Sequence, residues 1–176
     1  MVSLSFVFIF LVLIFGAIGA MRGWAKEMLV CFGVILAMFL LSILEKLPPI
    51  RDTVAIGGSS SKFWLQTIVM IVLTFFAYQT PNFPRLGGAR FARERLADIL
   101  LGLMMGLING YLVIGSLWYY LDQAGYKPLQ NYFTPPTSES VVRLLTYMAP
   151  HWMGAGSLLL YFAVALAFLF VIVVFL

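Results

Sequence analysis

The run ILLGLMMGLINGYLVIGSLWYYL, residues 99–121, decides the fold class. It carries no charged side chain over twenty-three positions. At about 1.5 Å rise per residue, a helix of this length covers the roughly 30 Å hydrocarbon core of a bilayer. Gly102, Gly106 and Gly110 recur at every fourth position, with Gly115 beyond them, so they line one helix face. Helices in lipid pack through small residues because their backbones can then approach closely. The stripe predicts a tight helix–helix contact. Gly16 and Gly19 of the first apolar run are the expected partner, and a second chain is the alternative. Asn109, beside the stripe, calls for an interhelical hydrogen bond.

The rest of the chain has the same character. Of its 176 residues, 62% are hydrophobic and 10% charged, and the mean hydropathy is +1.01. Soluble domains carry about 25% charged residues, so this chain lacks the polar shell a soluble bundle needs. Further apolar runs cover residues 4–21, 28–44, 63–79 and 157–176. Together they predict an all-α, polytopic membrane bundle, a single domain over 1–176 with five transmembrane helices. The last run holds fifteen Leu, Ile, Phe or Val residues. At about 0.3–0.6 kcal/mol each, its insertion is favoured by several kcal/mol. The first run has no basic residue before Arg22, which argues for a retained span over a signal peptide.

The connections follow turn chemistry. Residues 22–27 form a short connector, which makes the first two spans an antiparallel hairpin. Pro48-Pro49 and Gly57-Gly58-Ser59-Ser60-Ser61 mark 45–62 as a loop. Residues 80–98 hold Pro81, Pro84 and Gly87-Gly88, and their last part begins the fourth helix. Within 122–156, Val141, Leu144, Leu145 and Met148 fall at i, i+3, i+4 and i+7. This predicts a short amphipathic helix, started by Ser138 or Ser140 and stopped by Pro150. It lies either on the membrane surface or against the ends of the bundle.

Charge sets the orientation. Arg22, Lys26, Arg85, Arg90, Arg93 and Arg95 share one side, while Lys46, Arg51, Lys62, Lys127 and Arg143 share the other. The first set is denser, and the positive-inside rule puts it in the cytoplasm. The N-terminus is then outside and the C-terminus inside. The net charge of +4 is explained by topology and gives no sign of nucleic-acid binding.

Little in the sequence points to chemistry. No apolar run holds an ionisable residue at its centre, which argues against a pump or an ion-coupled transporter. His151 is the only histidine and Cys31 the only cysteine, so no metal site is expected. No serine has an evident base, and no phosphate-binding glycine pattern occurs. No catalytic, cofactor or metal residues are assigned, and the chain is read as a non-enzyme. Arg22-Gly23-Trp24-Ala25-Lys26-Glu27 reads as a hairpin signature. Gly23 permits the reversal, Trp24 sits at the interface, Arg22 and Lys26 anchor to headgroups, and Glu27 complements the dipole of the second helix.

Two stretches resemble the colicin V production protein (CvpA) family. Residues 19–27, GAMRGWAKE, look like that family's Arg-Gly-aromatic-x-basic-Glu signature between its first two spans. Residues 98–110, DILLGLMMGLING, look like its last common helix, which opens with an acidic residue and carries a glycine ladder. The similarity covers about residues 1–121. Departures are Ser3 and Ser5 where family members carry Asp, Ile99 and Asn109 where basic residues are common, and a fifth span. The resemblance implies a bacterial inner-membrane protein linked to colicin export and envelope physiology, acting as a scaffold or small oligomer. The alternative expectation is an accessory subunit of a respiratory or photosynthetic complex, with partner helices, lipids, pigments or quinones on its apolar faces.

Overall fold

The computed structural model describes residues 4–79, 92–133, 135–136, 138–154 and 157–175. Every regular element among them is helical: α1 (Leu4–Arg22), α2 (Trp24–Leu44), α3 (Pro48–Tyr78), α4 (Ala92–Gln123), a 3-10 turn (Lys127–Leu129), α5 (Glu139–Thr146), α6 (Ala149–Trp152) and α7 (Leu158–Phe175). Helices satisfy their own backbone groups, as apolar surroundings require. Four are long and apolar enough to cross a membrane: Leu4–Arg22, Trp24–Leu44, Val54–Tyr78 and Arg95–Gln123. α7 is apolar over Leu158–Phe170 and, at 18 residues, shorter than these four.

Two connectors differ from the sequence reading. Only Gly23 separates α1 from α2, in place of a six-residue link. Its φ of 87° is open to glycine at little cost, and its N–H still bonds the Gly19 carbonyl at 2.9 Å. The stretch read as a loop over 45–62 is helical from Pro48. A helix's first N–H groups have no intrahelical partner, so the two prolines begin it at no loss of hydrogen bonding. Gly57-Gly58 does not end it. Gly58 takes φ 71° and ψ −167°, which kinks α3. The Ser61 hydroxyl donates to the Gly57 carbonyl at 3.1 Å across that kink.

Successive long helices run in opposite directions. α1 packs antiparallel along α4, with Gly19 against Gly102 and Gly106, Gly16 against Leu107, and Val12 against Gly110. A Cβ on Gly106 would stand 3.0 Å from the Cα atoms of Gly16 and Gly19, which is too close for ordinary contact. α2 lies among α3, α4 and α7, and Val30, Val34, Met38, Met70, Leu112 and Leu160 fill the space between them. Phe32 meets Phe170 and Phe39 meets Tyr161, with ring centroids 5.1 and 5.8 Å apart.

The alternation places Arg22, Lys26 and Arg95 at one end of the bundle, and Lys46, Lys62, Lys127 and Arg143 at the other. Arg85 and Arg90 lie outside the described residues, as does most of the 80–98 connection. α5 ends at Thr146, and Pro150 stands in the first turn of α6 and does not stop α5. Ser138 precedes α5 without a side-chain cap bond. Leu145 and Met148 are buried, and Met148 Sδ lies beside Gly115, so this apolar face packs on α4.

Candidate functional site

The most unusual group among the described residues is Glu27, whose side chain is 0% exposed. It stands in the first turn of α2, where the helix dipole favours a carboxylate. Burial of a charge there requires full pairing, and three other helices supply it. Arg22, in the last turn of α1, donates from Nη1 to Glu27 Oε1 at 2.9 Å. Its Nη2 donates to the Tyr78 carbonyl at the end of α3 at 3.0 Å, and its Cζ lies 4.3 Å from the Tyr78 ring centroid. The Tyr78 hydroxyl donates to Glu27 Oε2 at 3.4 Å. Asn109 of α4 donates from Nδ2 to both Glu27 Oε2 (2.8 Å) and the Glu27 carbonyl (2.9 Å). Both acceptors demand N–H, so the amide can face them only this way round. Its buried Oδ1 then has no partner among the described residues.

Glycines let this site close. At Gly23 a Cβ would stand 2.8 Å from Asp98 Oδ2, and the Trp24 N–H reaches Asp98 Oδ1 at 3.4 Å. The connector and the start of the glycine helix therefore share one joint. The Arg22 side chain turns inward to this joint. Asp98 holds the connector and is only partly exposed. The hairpin reading accounted for Glu27 by its dipole alone and missed its burial. Tyr78 was missed altogether, because its partners lie about fifty positions away in sequence. The one available signal was Asn109, a polar residue near the middle of a charge-free run.

A second polar group occupies the opposite end. A cavity of about 360 Å³ opens between α2, α3, α4 and α6, lined among others by Glu45, Lys62, Gln66, Tyr119, Gln123 and His151. Gln66 donates to Glu45 Oε1 at 2.7 Å, and Lys62 Nζ lies 3.5 Å from Glu45 Oε2. His151 lies in α6, not a loop, and its ring meets that of Tyr119 at 6.2 Å. The sequence placed Glu45 and Lys62 in a loop and gave His151 no role, so this cavity was not foreseen. Beyond the end of α4, burial pushes the Tyr126 hydroxyl up to about 12, opposed by a hydrogen bond from Trp118 Nε1 at 3.1 Å.

No group of three or more His, Cys, Asp or Glu among the described residues is placed to hold a metal ion. Compared with protein-family models, curated proteins and solved structures, the chain matches none.

Proposed function

We propose that this chain is a CvpA-like bacterial inner-membrane protein, a non-enzymatic scaffold serving export or envelope homeostasis. One observation carries the reading. The two stretches that resemble the family, residues 19–27 and 98–110, are more than seventy positions apart yet meet in one joint, through Trp24–Asp98 and Glu27–Asn109. A buried carboxylate held by Arg22, Tyr78 and Asn109 suits a fastener better than a reaction centre. In this reading α7 is a fifth span and α5 packs on the end of the bundle. The basic end with Arg22 is cytoplasmic, the N-terminus is outside, and the protein works alone or as a homo-oligomer without a cofactor.

A second reading, an accessory subunit of a larger membrane complex, is favoured by α7. That helix leaves Phe162, Phe168 and Leu169 more than half exposed, a face suited to partner helices as well as lipid. Native gel electrophoresis of a mild detergent extract separates the two. Migration alone or as a small homo-oligomer is expected. Migration within a large assembly of other subunits would overturn the first reading in favour of the second.

A further inference from the structure

We propose that the cavity between α2, α3, α4 and α6 seats the headgroup of a zwitterionic phospholipid, with its ammonium toward Glu45 and its phosphate toward Lys62 and His151. The argument starts from the charges in the wall. Glu45 and Lys62 present a carboxylate and an ammonium 3.5 Å apart, each partly exposed. A purely anionic ligand would meet Glu45, and a purely cationic one would meet Lys62. A ligand carrying both signs complements both. Gln66 holds the carboxylate from below at 2.7 Å, and Tyr119, Gln123 and His151 add neutral donors and acceptors. The volume, about 360 Å³, suits a headgroup with its glycerol.

Position argues for a lipid over a soluble zwitterion. The cavity lies where α2 ends and α7 begins, with Trp152 in its wall; Trp64, half-exposed, stands at the same level of α3 on the face toward α1. Tryptophans gather at the headgroup level of a bilayer.

The test is thermal unfolding of the full chain in mild detergent, titrated with dioleoylphosphatidylethanolamine, dioleoylphosphatidylglycerol or the soluble sn-glycero-3-phosphoethanolamine. The ethanolamine lipid should bind about tenfold more tightly than the glycerol lipid and raise the unfolding temperature. Glu45→Gln should erase that preference, and Lys62→Gln and His151→Asn should weaken both lipids. Equal affinity for the two lipids, or a preference retained in Glu45→Gln, overturns the proposal. Equal binding of the soluble analogue overturns the lipid as occupant. Should Glu45→Gln fail to fold, Lys62→Gln decides: undiminished binding there overturns the proposal as well.

Discussion

The two ends of α2 are built from the same kinds of residue and behave as opposites. At one end Glu27 meets an arginine, an amide and a tyrosine. At the other Glu45 meets a lysine and an amide, with Tyr120 in the same cavity wall. The first set is sealed, with Arg22 19% and Glu27 0% exposed, whereas Lys62 and Glu45 remain 38% and 29% exposed. Choice of cation accounts for part of the difference. A guanidinium is planar and weakly hydrated, and it donates in several directions, so Arg22 reaches a carboxylate and a carbonyl while stacking on a ring. An ammonium holds its water more strongly and suits an open wall. Glycines account for the rest, since Gly19, Gly23, Gly102 and Gly106 bring backbones together around the sealed end. Like chemistry thus gives a fastener where backbone can close over it and a receptacle where it cannot.

Arg22→Ala should break this contrast most strongly. It strands a buried carboxylate, for which a loss of about 3–5 kcal/mol is expected. Unfolding in detergent followed by tryptophan fluorescence measures it. The triple replacement Arg22→Met, Glu27→Leu, Asn109→Leu should lose less than Arg22→Ala alone, because an apolar set of similar volume leaves no charge behind. If it loses more, the pair stabilises beyond its desolvation cost. Gly106→Leu forces a side chain against the Gly16 and Gly19 backbone, and about 1–3 kcal/mol should be lost in the same assay. An unchanged transition would mean that α1 and α4 do not pack through this face.

At the open end the effects should be smaller. Lys62→Gln breaks a partly exposed pair and should cost less than about 1 kcal/mol. A loss as large as that of Arg22→Ala would erase the distinction between the ends. The smallest effect concerns pH. Tyr126 has its hydroxyl raised to about 12 by burial, whereas an unfolded tyrosine titrates near 10. The neutral form is therefore favoured in the fold. Its contribution is full below about pH 10 and is lost as pH rises through the folded value. Wild type should lose stability between about pH 10 and 12 faster than Tyr126→Phe, measured by chemical unfolding at each pH.

The helices were legible because charge-free runs of this length leave the backbone little alternative in lipid. The start of α3 was not. Prolines and paired glycines signal a break in general, yet proline fits a helix's first turn, and only Gly58 departs from helical angles. The residues of the sealed site were legible, Arg22 and Glu27 as a signature and Asn109 as a polar intruder. Their burial was not, because a carboxylate beside two cations at a helix start is ordinarily solvated. Only the fold reveals that Tyr78 and Asn109 arrive from two other helices. The cavity at the far end was hidden for a similar reason. Its acid and base lay in a stretch read as loop, and its histidine came from an element more than eighty positions away.

Glu27 and Glu45 are eighteen positions apart, five turns of helix at 3.6 residues per turn, so both carboxylates issue from one face of α2. That spacing is about 27 Å along the axis. With one carboxylate locked to three helices and the other at a watery rim, α2 is held as a ruler of fixed length. Its apolar stretch is slightly shorter than the roughly 30 Å hydrocarbon core of an average bilayer. Such a rod has little freedom to tilt further and so fits best in a thin membrane, or draws a thicker one inward around itself.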